Sequence, residues 1–323
     1  HNLGKRKVAM YHIHDAKGFR QRDISGGSIL ITHEIAEAYA NRGFYMYFDL
    51  NDYLGLDFQA DREYLYPYFN FLRDYPDAFL DLEQKNEIAV VIPPHTNFLN
   101  RASISTQSIS VALSMQNISH DVTDLNRIGD YSVVILSGYA WSDSNINTML
   151  DYLENGGIII AYDQRFASLN ENFEEVSRPD LRGFKTRGKH IYGDGSFIFF
   201  DQDIGWEIWA YLNPEAIQTI VDVLFDYADT IVAPQNIQVL PYIKDTSLVI
   251  HILNYDFQAK DFVKKENFLI EVEIPEGISV ENRTIKLVSP DFKEELIASY
   301  EQNGNILSIS VPQLYIWDVL IME

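Results

Sequence analysis

Two histidines at alternate positions of one apolar run, His12 and His14 in Lys7 to His14 (KVAMYHIH), fall on the same face of a predicted strand, and Asp15 follows at its end. Imidazoles beside a carboxylate can bind zinc or contact a sugar, but no third ligand stands at a metal-site spacing, so no metal is predicted. A second run, Phe44 to Leu50 (FYMYFDL), carries Asp49 near its end, with Asp52 in the loop beyond. At the strand ends of a β/α barrel such carboxylates face the active-site mouth, where they act as acid, base or nucleophile. Asp49 and Asp15 are therefore the catalytic candidates, and His12 and His14 candidates for holding substrate. No partner carboxylate for Asp49 is visible. His33-Glu34 opens like H-E-x-x-H, but position 37 is Glu, so the motif fails and an exposed helix face is predicted there.

Other chemistry is excluded by composition or by context. The 323 residues contain no cysteine, which removes disulfides, thiolate metal sites and thiol nucleophiles together. Ser137-Gly138-Tyr139 follows an apolar strand but lacks the G-x-S-x-G elbow, so Ser137 reads as a strand-end turn. Gly193 and Gly195 precede a strand rather than a helix, which leaves no helix N-terminus for a phosphate; a hairpin turn is expected. No cofactor is predicted. Trp206 and Trp209, with Tyr211 and Trp141, could stack on sugar rings as a substrate-binding surface, and their spacing suits packing between domains equally well.

The elements that must position these groups alternate in type. Lys7 to His14, a helix over Ile31 to Arg42 with Thr32 as N-cap and Gly43 as its stop, Phe44 to Leu50 and a helix over Asp61 to Leu72 give a β/α order. This stretch is too short to close a barrel alone. Ile88 to Ile92, stopped by Pro93-Pro94, opens a second region. A helix over Ser105 to Gln116, strands at Ile118 to Val122 and Tyr131 to Leu136, a helix over Ser144 to Glu154 capped by Ser142 or Asp143, and a strand at Gly157 to Tyr162 follow. Short connections between them imply a parallel sheet with helices on both faces. Beyond Pro234, strands at Ser247 to Leu253, Phe268 to Glu273, Thr284 to Val288, Ile306 to Val311 and Tyr315 to Ile321 are separated by turn signals such as Asn303-Gly304, predicting an antiparallel β-sandwich.

Net charge is -22, from 47 acidic and 25 basic residues, and no basic cluster offsets the excess. Nucleic acid and anionic membranes are thereby poor partners. The apolar runs are strand-length, well short of a spanning helix. Nothing in the sequence fixes a compartment.

The segment IAVVIPP followed by DYSVVILSGYAWSDSNINTMLDYLENGGIIIAYD resembles the class I glutamine amidotransferase-like domain that follows the barrel in β-galactosidase-type glycoside hydrolases, where it often serves trimerisation. Ser142-Asp143, Leu150, Tyr152-Leu153 and Gly156-Gly157 match its helix-and-strand pattern, and Gly193 to Ile198 a later strand. LVIHILNYDF and SISVPQLYIWDVLIM are similar to the closing β-domain, and His33 to Gly43 with Tyr64 to Asp74 to the last β/α units of the barrel. The resemblance implies three parts: residues 1–86 ending a TIM barrel, 87–233 an amidotransferase-like, flavodoxin-like α/β domain, and 234–323 a β-sandwich. The chain is then the C-terminal accessory and oligomerisation region of a longer glycoside hydrolase acting on carbohydrate, a homo-oligomer through its central domain. The absent cysteine excludes amidotransferase chemistry, and the glycosidase carboxylate pair would lie mainly upstream. The alternative is a non-catalytic scaffold that binds carbohydrate or protein through a degenerate barrel.

Overall fold

A computed structural model describes residues 9–14, 27–49, 59–95, 101–229 and 231–323. Strands β1 (Ala9–His14) and β2 (Phe44–Asp49) pair in parallel, and helix α1 (Gly27–Ala40) connects them. Helix α2 (Gln59–Asp74) follows and packs on α1. Helix α1 starts earlier than the sequence signals place it. Thr32 is an interior residue, its hydroxyl donating to the Ile29 carbonyl at 2.6 Å instead of capping. The left-handed exit falls on Arg42 (φ 57°), one residue before Gly43.

The central unit, within residues 85–228, is built on β3 (Ile88–Val91), β4 (Asp121–Thr123), β5 (Val133–Leu136), β6 (Ile158–Tyr162), β7 (Gly188–Tyr192) and β8 (Gly195–Phe200). Their order is β4-β3-β5-β6-β8-β7, parallel except for the edge strand β7. Reading the parallel strands alone, this is the 2-1-3-4-5 order of a doubly wound sheet. Alternate residues serve opposite faces. Val134, Leu136, Ile159 and Ala161 join one core with Met149 and Leu153 of helix α4 (Asp143–Glu154). Val133, Ile135, Ile160 and Tyr162 join the other with helices α3 (Arg101–Met115), α5 (Ile204–Tyr211) and α6 (Pro214–Leu224). Two-sided burial is why these strands read as unbroken apolar runs. Ser142 does cap α4, accepting from the Asn145 amide in a capping box, and Gly156 (φ 94°) makes the left-handed exit.

Helix α5 crosses α3 at Gly205, where a Cβ would stand 2.3 Å from the Ser105 carbonyl oxygen. Because the obstacle is backbone, Gly205→Ala must push the two helices apart. The expected cost is ~1–3 kcal/mol, typical of overpacking, read as a lowered midpoint in denaturant. An unchanged midpoint would show that the helices can separate freely.

The second unit joins residues 7–84 to 229–323. Strands β9 (Ile231–Val232), β10 (Ile237–Lys244), β11 (Ser247–Asn254), β14 (Lys265–Glu273), β15 (Ile285–Val288), β16 (Leu296–Asn303), β17 (Ile306–Leu314) and β18 (Trp317–Met322) form an antiparallel sheet in the order β10-β11-β18-β15-β16-β17-β14-β9, and β12 (Phe257–Gln258) with β13 (Asp261–Phe262) makes a small hairpin. Strand β16 gives residues 296–298 to β15 and 299–303 to β17, so the sheet folds into two facing halves. Leu248, Ile250, Ile252, Leu320 and Met322 fill the space between the halves. Val249, Leu253, Trp317 and Val319, on the opposite face of the same strands, pack against Ile31, Ile35, Leu65 and Phe71 of α1 and α2. Polar ties reinforce that layer. Tyr242 donates to the Ala40 carbonyl (2.7 Å), Tyr68 to Asp291 Oδ1 (2.5 Å), and His251 Nε2 to the Ala78 carbonyl (2.9 Å).

Candidate functional site

In doubly wound sheets ligands collect beyond the carboxyl ends of the strands, at the point where strand order reverses. Here that point lies between β3 and β5. There Gly138 (φ 104°) sits against Pro93, whose Cβ would be 2.7 Å from any Cβ added at 138. Only glycine permits this close approach.

Around this point the strand ends present a polar cluster. Asp163, directly after β6, takes a left-handed conformation (φ 79°). Its carboxylate accepts from the Arg165 amide (2.9 Å), from Arg165 Nη2 (2.7 Å) and from the Tyr139 hydroxyl (3.1 Å). The guanidinium lies 4.3 Å from the centre of the Tyr139 ring and 3.9 Å from Asp203 Oδ2. Burial pushes the Asp163 carboxyl up, but the Arg165 hydrogen bonds outweigh it and hold the group below its ordinary value. Burial and the same carboxylate push the Tyr139 phenol up. One cation shared by two carboxylates leaves no surplus positive charge for a phosphate. Ser137 is buried with its hydroxyl 2.6 Å from that of Thr106, a partner too weakly basic to activate a nucleophile. The arrangement fixes the loops after β5 and β6 to the sheet.

Asp203 connects this cluster to the aromatic helix. It accepts from the Trp206 amide (3.0 Å) and the Ser105 hydroxyl (2.8 Å), capping α5 and pinning it to α3. Trp206 and Trp209 lie with ring centres 4.8 Å apart and planes 35° apart, and Trp209 is 55% exposed, as are Tyr211 and Leu212 to a greater degree. Trp141 does not belong to any such surface. It is 0% exposed, in the core beside Phe166, because the loop after β5 folds back and ties the Trp141 amide to the Leu169 carbonyl at 2.9 Å.

The expected exposed helix face at His33 is also corrected: the residue is 9% exposed, stacked on Phe262 at 5.0 Å and met edge-on by Tyr255 at 4.6 Å. Burial lowers its pKa to about 4. His12, His14 and Asp49 lie on β1 and β2, which the register brings together, with His14 opposite Asp49 at the final rung and His12 opposite Tyr47. Asp15 and Asp52 lie outside the described residues. Among the described residues no group of three or more His, Asp or Glu could hold a metal, and no helix is long and apolar enough to cross a membrane. Sequence reasoning missed the Tyr139–Asp163–Arg165 cluster; its one local signal was an Asp at a strand end with Arg two residues on.

No family model matches the chain, and no curated protein matches its sequence. Solved structures do match its fold. The alpha-L-fucosidase isoenzyme 2 of Paenibacillus thiaminolyticus superposes with a TM-score of 0.65 at 12% identity, over 92% of this chain and 57% of that one. The β-galactosidase of Bacillus circulans sp. alkalophilus gives 0.62 at 11% identity, over 92% and 52%. The β-galactosidase of Rahnella sp. R3 gives 0.58 at 11%, over 90% and 50%. The fold is therefore one that these glycoside hydrolases also contain. The chain spans about half the length of these structures, and at such identities the likeness is one of fold alone.

Proposed function

We propose that this chain is the C-terminal portion of a glycoside hydrolase acting on carbohydrate, with β1, α1, β2 and α2 ending a β/α barrel, an amidotransferase-like domain in an accessory and oligomerisation role, and a closing β-domain. The observation that carries this reading is the parallel pair β1–β2, which has no third strand among the described residues. Parallel sheets are stable when extended and covered on both faces, so such a pair fits a larger β/α sheet. The matched span, about half of each solved glycosidase, supports the same inference.

The full-length gene product is expected to hydrolyse aryl glycosides, whereas residues 1–323 alone are inert. Turnover by the short chain, abolished by Asp49→Asn, would place a complete site within it and defeat the division of labour proposed. Absence of turnover from any length of the protein would favour the scaffold reading instead, for which the exposed Trp209 beside Trp206 is the supporting feature. The same patch, with Tyr211 and Leu212, is the proposed oligomer contact, since aromatic anchors dominate interface energetics.

A further inference from the structure

The acidic excess of the whole chain is reversed over one short stretch of the central unit. Residues 178–189 (RPDLRGFKTRGK) carry Arg178, Arg182, Lys185, Arg187 and Lys189 against Asp180 alone, in a chain of net charge -22. This stretch leads into β7, whose first residue, Gly188, pairs with Phe199 near the end of β8, so the loop lies at the carboxyl ends of the parallel strands. That is the end at which doubly wound sheets hold their ligands. The loop is fixed from beneath. A single 3-10 turn at Pro179–Leu181 buries Leu181, and Phe184 is buried against Phe197 with ring centres 5.1 Å apart. His190 Nε2 donates to the Thr186 carbonyl at 2.7 Å, which holds the approach to β7.

The charges on this loop are unequally matched. Arg178, its side chain 9% exposed, donates to Asp143 Oδ1 and to the Trp141 carbonyl, while its buried Nε finds no acceptor among the described residues. A buried donor left open is a place for an oxyanion or a water. Half-buried Lys185 stands within electrostatic reach of Arg178. Desolvation, and then that second cation, hold its ammonium below the ordinary pKa, and Asp163, already engaged by Arg165, offsets only part of this. Among the described residues no carboxylate pairs with Arg182, Lys185 or Arg187, and Arg182 and Arg187 are exposed. Cations crowded together without counter-charges repel one another, at a cost that an arriving anion reverses.

We propose that Arg178, Arg182, Lys185 and Arg187 form an anion-binding surface for the carboxylate or sulfate groups of an acidic polysaccharide. The proposal rests on the carbohydrate reading above and deepens it by naming the class of glycan. Guanidinium groups meet such oxyanions in paired, charge-assisted hydrogen bonds, and a loop held by buried anchors presents them without further ordering. A nucleic-acid duplex fits less well, because its closely spaced phosphates run on past four cations toward the acidic remainder of the chain. The charges of a polysaccharide are sparser, so a few cations can meet them one at a time.

The test uses the full natural length of the protein, with dextran sulfate and polygalacturonate as probes, neutral dextran and a DNA duplex as controls, and affinity read by calorimetry. At low salt at least one acidic polysaccharide is expected to bind saturably and to weaken as salt is added, while neutral dextran gives no heat. The sulfated and carboxylated probes tell which group the surface takes. A double variant, Arg182→Gln with Arg187→Gln, should bind about tenfold more weakly at an unchanged melting temperature, through the loss of two charge-assisted contacts. Lys185→Gln should also bind more weakly yet melt higher, since it relieves the repulsion with Arg178. Lys293→Gln removes the same charge from an exposed position of the second unit and should leave binding unchanged. No saturable binding of either polyanion, equal weakening by Lys293→Gln, or tighter binding of DNA than of both polysaccharides would overturn the inference. Polysaccharide binding that the loop variants weaken, without aryl-glycoside turnover by any form, would keep it and remove the hydrolase reading; turnover with no polyanion binding would do the reverse.

Discussion

Trp317→Ala is expected to cost the second unit ~3–5 kcal/mol, the range for deleting a fully buried tryptophan. The side chain is 0% exposed and forms the centre of the contact between α1–α2 and the sheet. Its ring lies 5.3 Å from Phe71, 5.4 Å from Phe79 and 5.8 Å from His251, measured between centres. The indole N–H also donates to His251 Nδ1 at 3.3 Å, so truncation leaves a buried acceptor without its donor as well as a cavity. His251 Nε2 remains tied to Ala78, which limits how far the site can collapse. Chemical denaturation should show a lower midpoint, and amide exchange along α2 should accelerate more than exchange in β17. Trp317→Phe, which keeps part of the volume, should lose much less. A cost below ~1 kcal/mol for the alanine variant would mean that the helices do not depend on this contact.

The unequal legibility of these features has physical causes. Strands β3, β5 and β6 were plain in the sequence because burial on both faces demands the uninterrupted runs IAVV, VVIL and IIIAY. Helix α4 was plain because Ser142 and Gly156 fix its ends by local chemistry. Helix α5 escaped notice: it is short, and its sequence IGWEIWAY is apolar on nearly every side. Strand β10 was hidden by Pro241, which the edge of the sheet accommodates. The buried polar ties had no local signal at all. His251 meets a carbonyl 173 residues away, and Tyr68 an aspartate 223 residues away. Nor does composition tell a buried tryptophan from an exposed one, as Trp141 and Trp209 show. The pairing of His14 with Asp49 was half legible, since each strand was visible but the register that makes them neighbours was not.

Asp318→Asn is expected to stabilise the protein at neutral pH, with a gain that vanishes near pH 4. Asp318 is completely buried on β18, on the sandwich face it shares with Leu320 and Met322, and neither carboxyl oxygen meets a hydrogen-bond donor within ordinary distance. Burial, reinforced by the nearby Asp291, pushes its pKa well up; the Ser289 hydroxyl offsets only a little of this, since it donates to the Trp317 carbonyl at 2.7 Å. Asp291 is pushed up by burial too, although Tyr68 and the amides of Ile316 and Trp317 offset part of that. For an acid whose pKa rises on folding, both states are protonated below the unfolded value of about 3.9 and no penalty exists. As pH rises from there, the unfolded chain ionises while the folded one does not. Stability then falls by roughly 1.4 kcal/mol per pH unit until the folded pKa is passed. His251 and His33 act in the opposite sense: burial lowers them to about 3 and about 4, so their contribution is present above pH 6.5 and is lost as pH falls toward those values. The wild-type curve mixes both trends. The difference in unfolding free energy between Asp318→Asn and wild type isolates the carboxyl, and it should grow steadily from pH 4 upward before levelling. A difference that is constant with pH, or largest in acid, would mean that Asp318 is not held protonated by its surroundings.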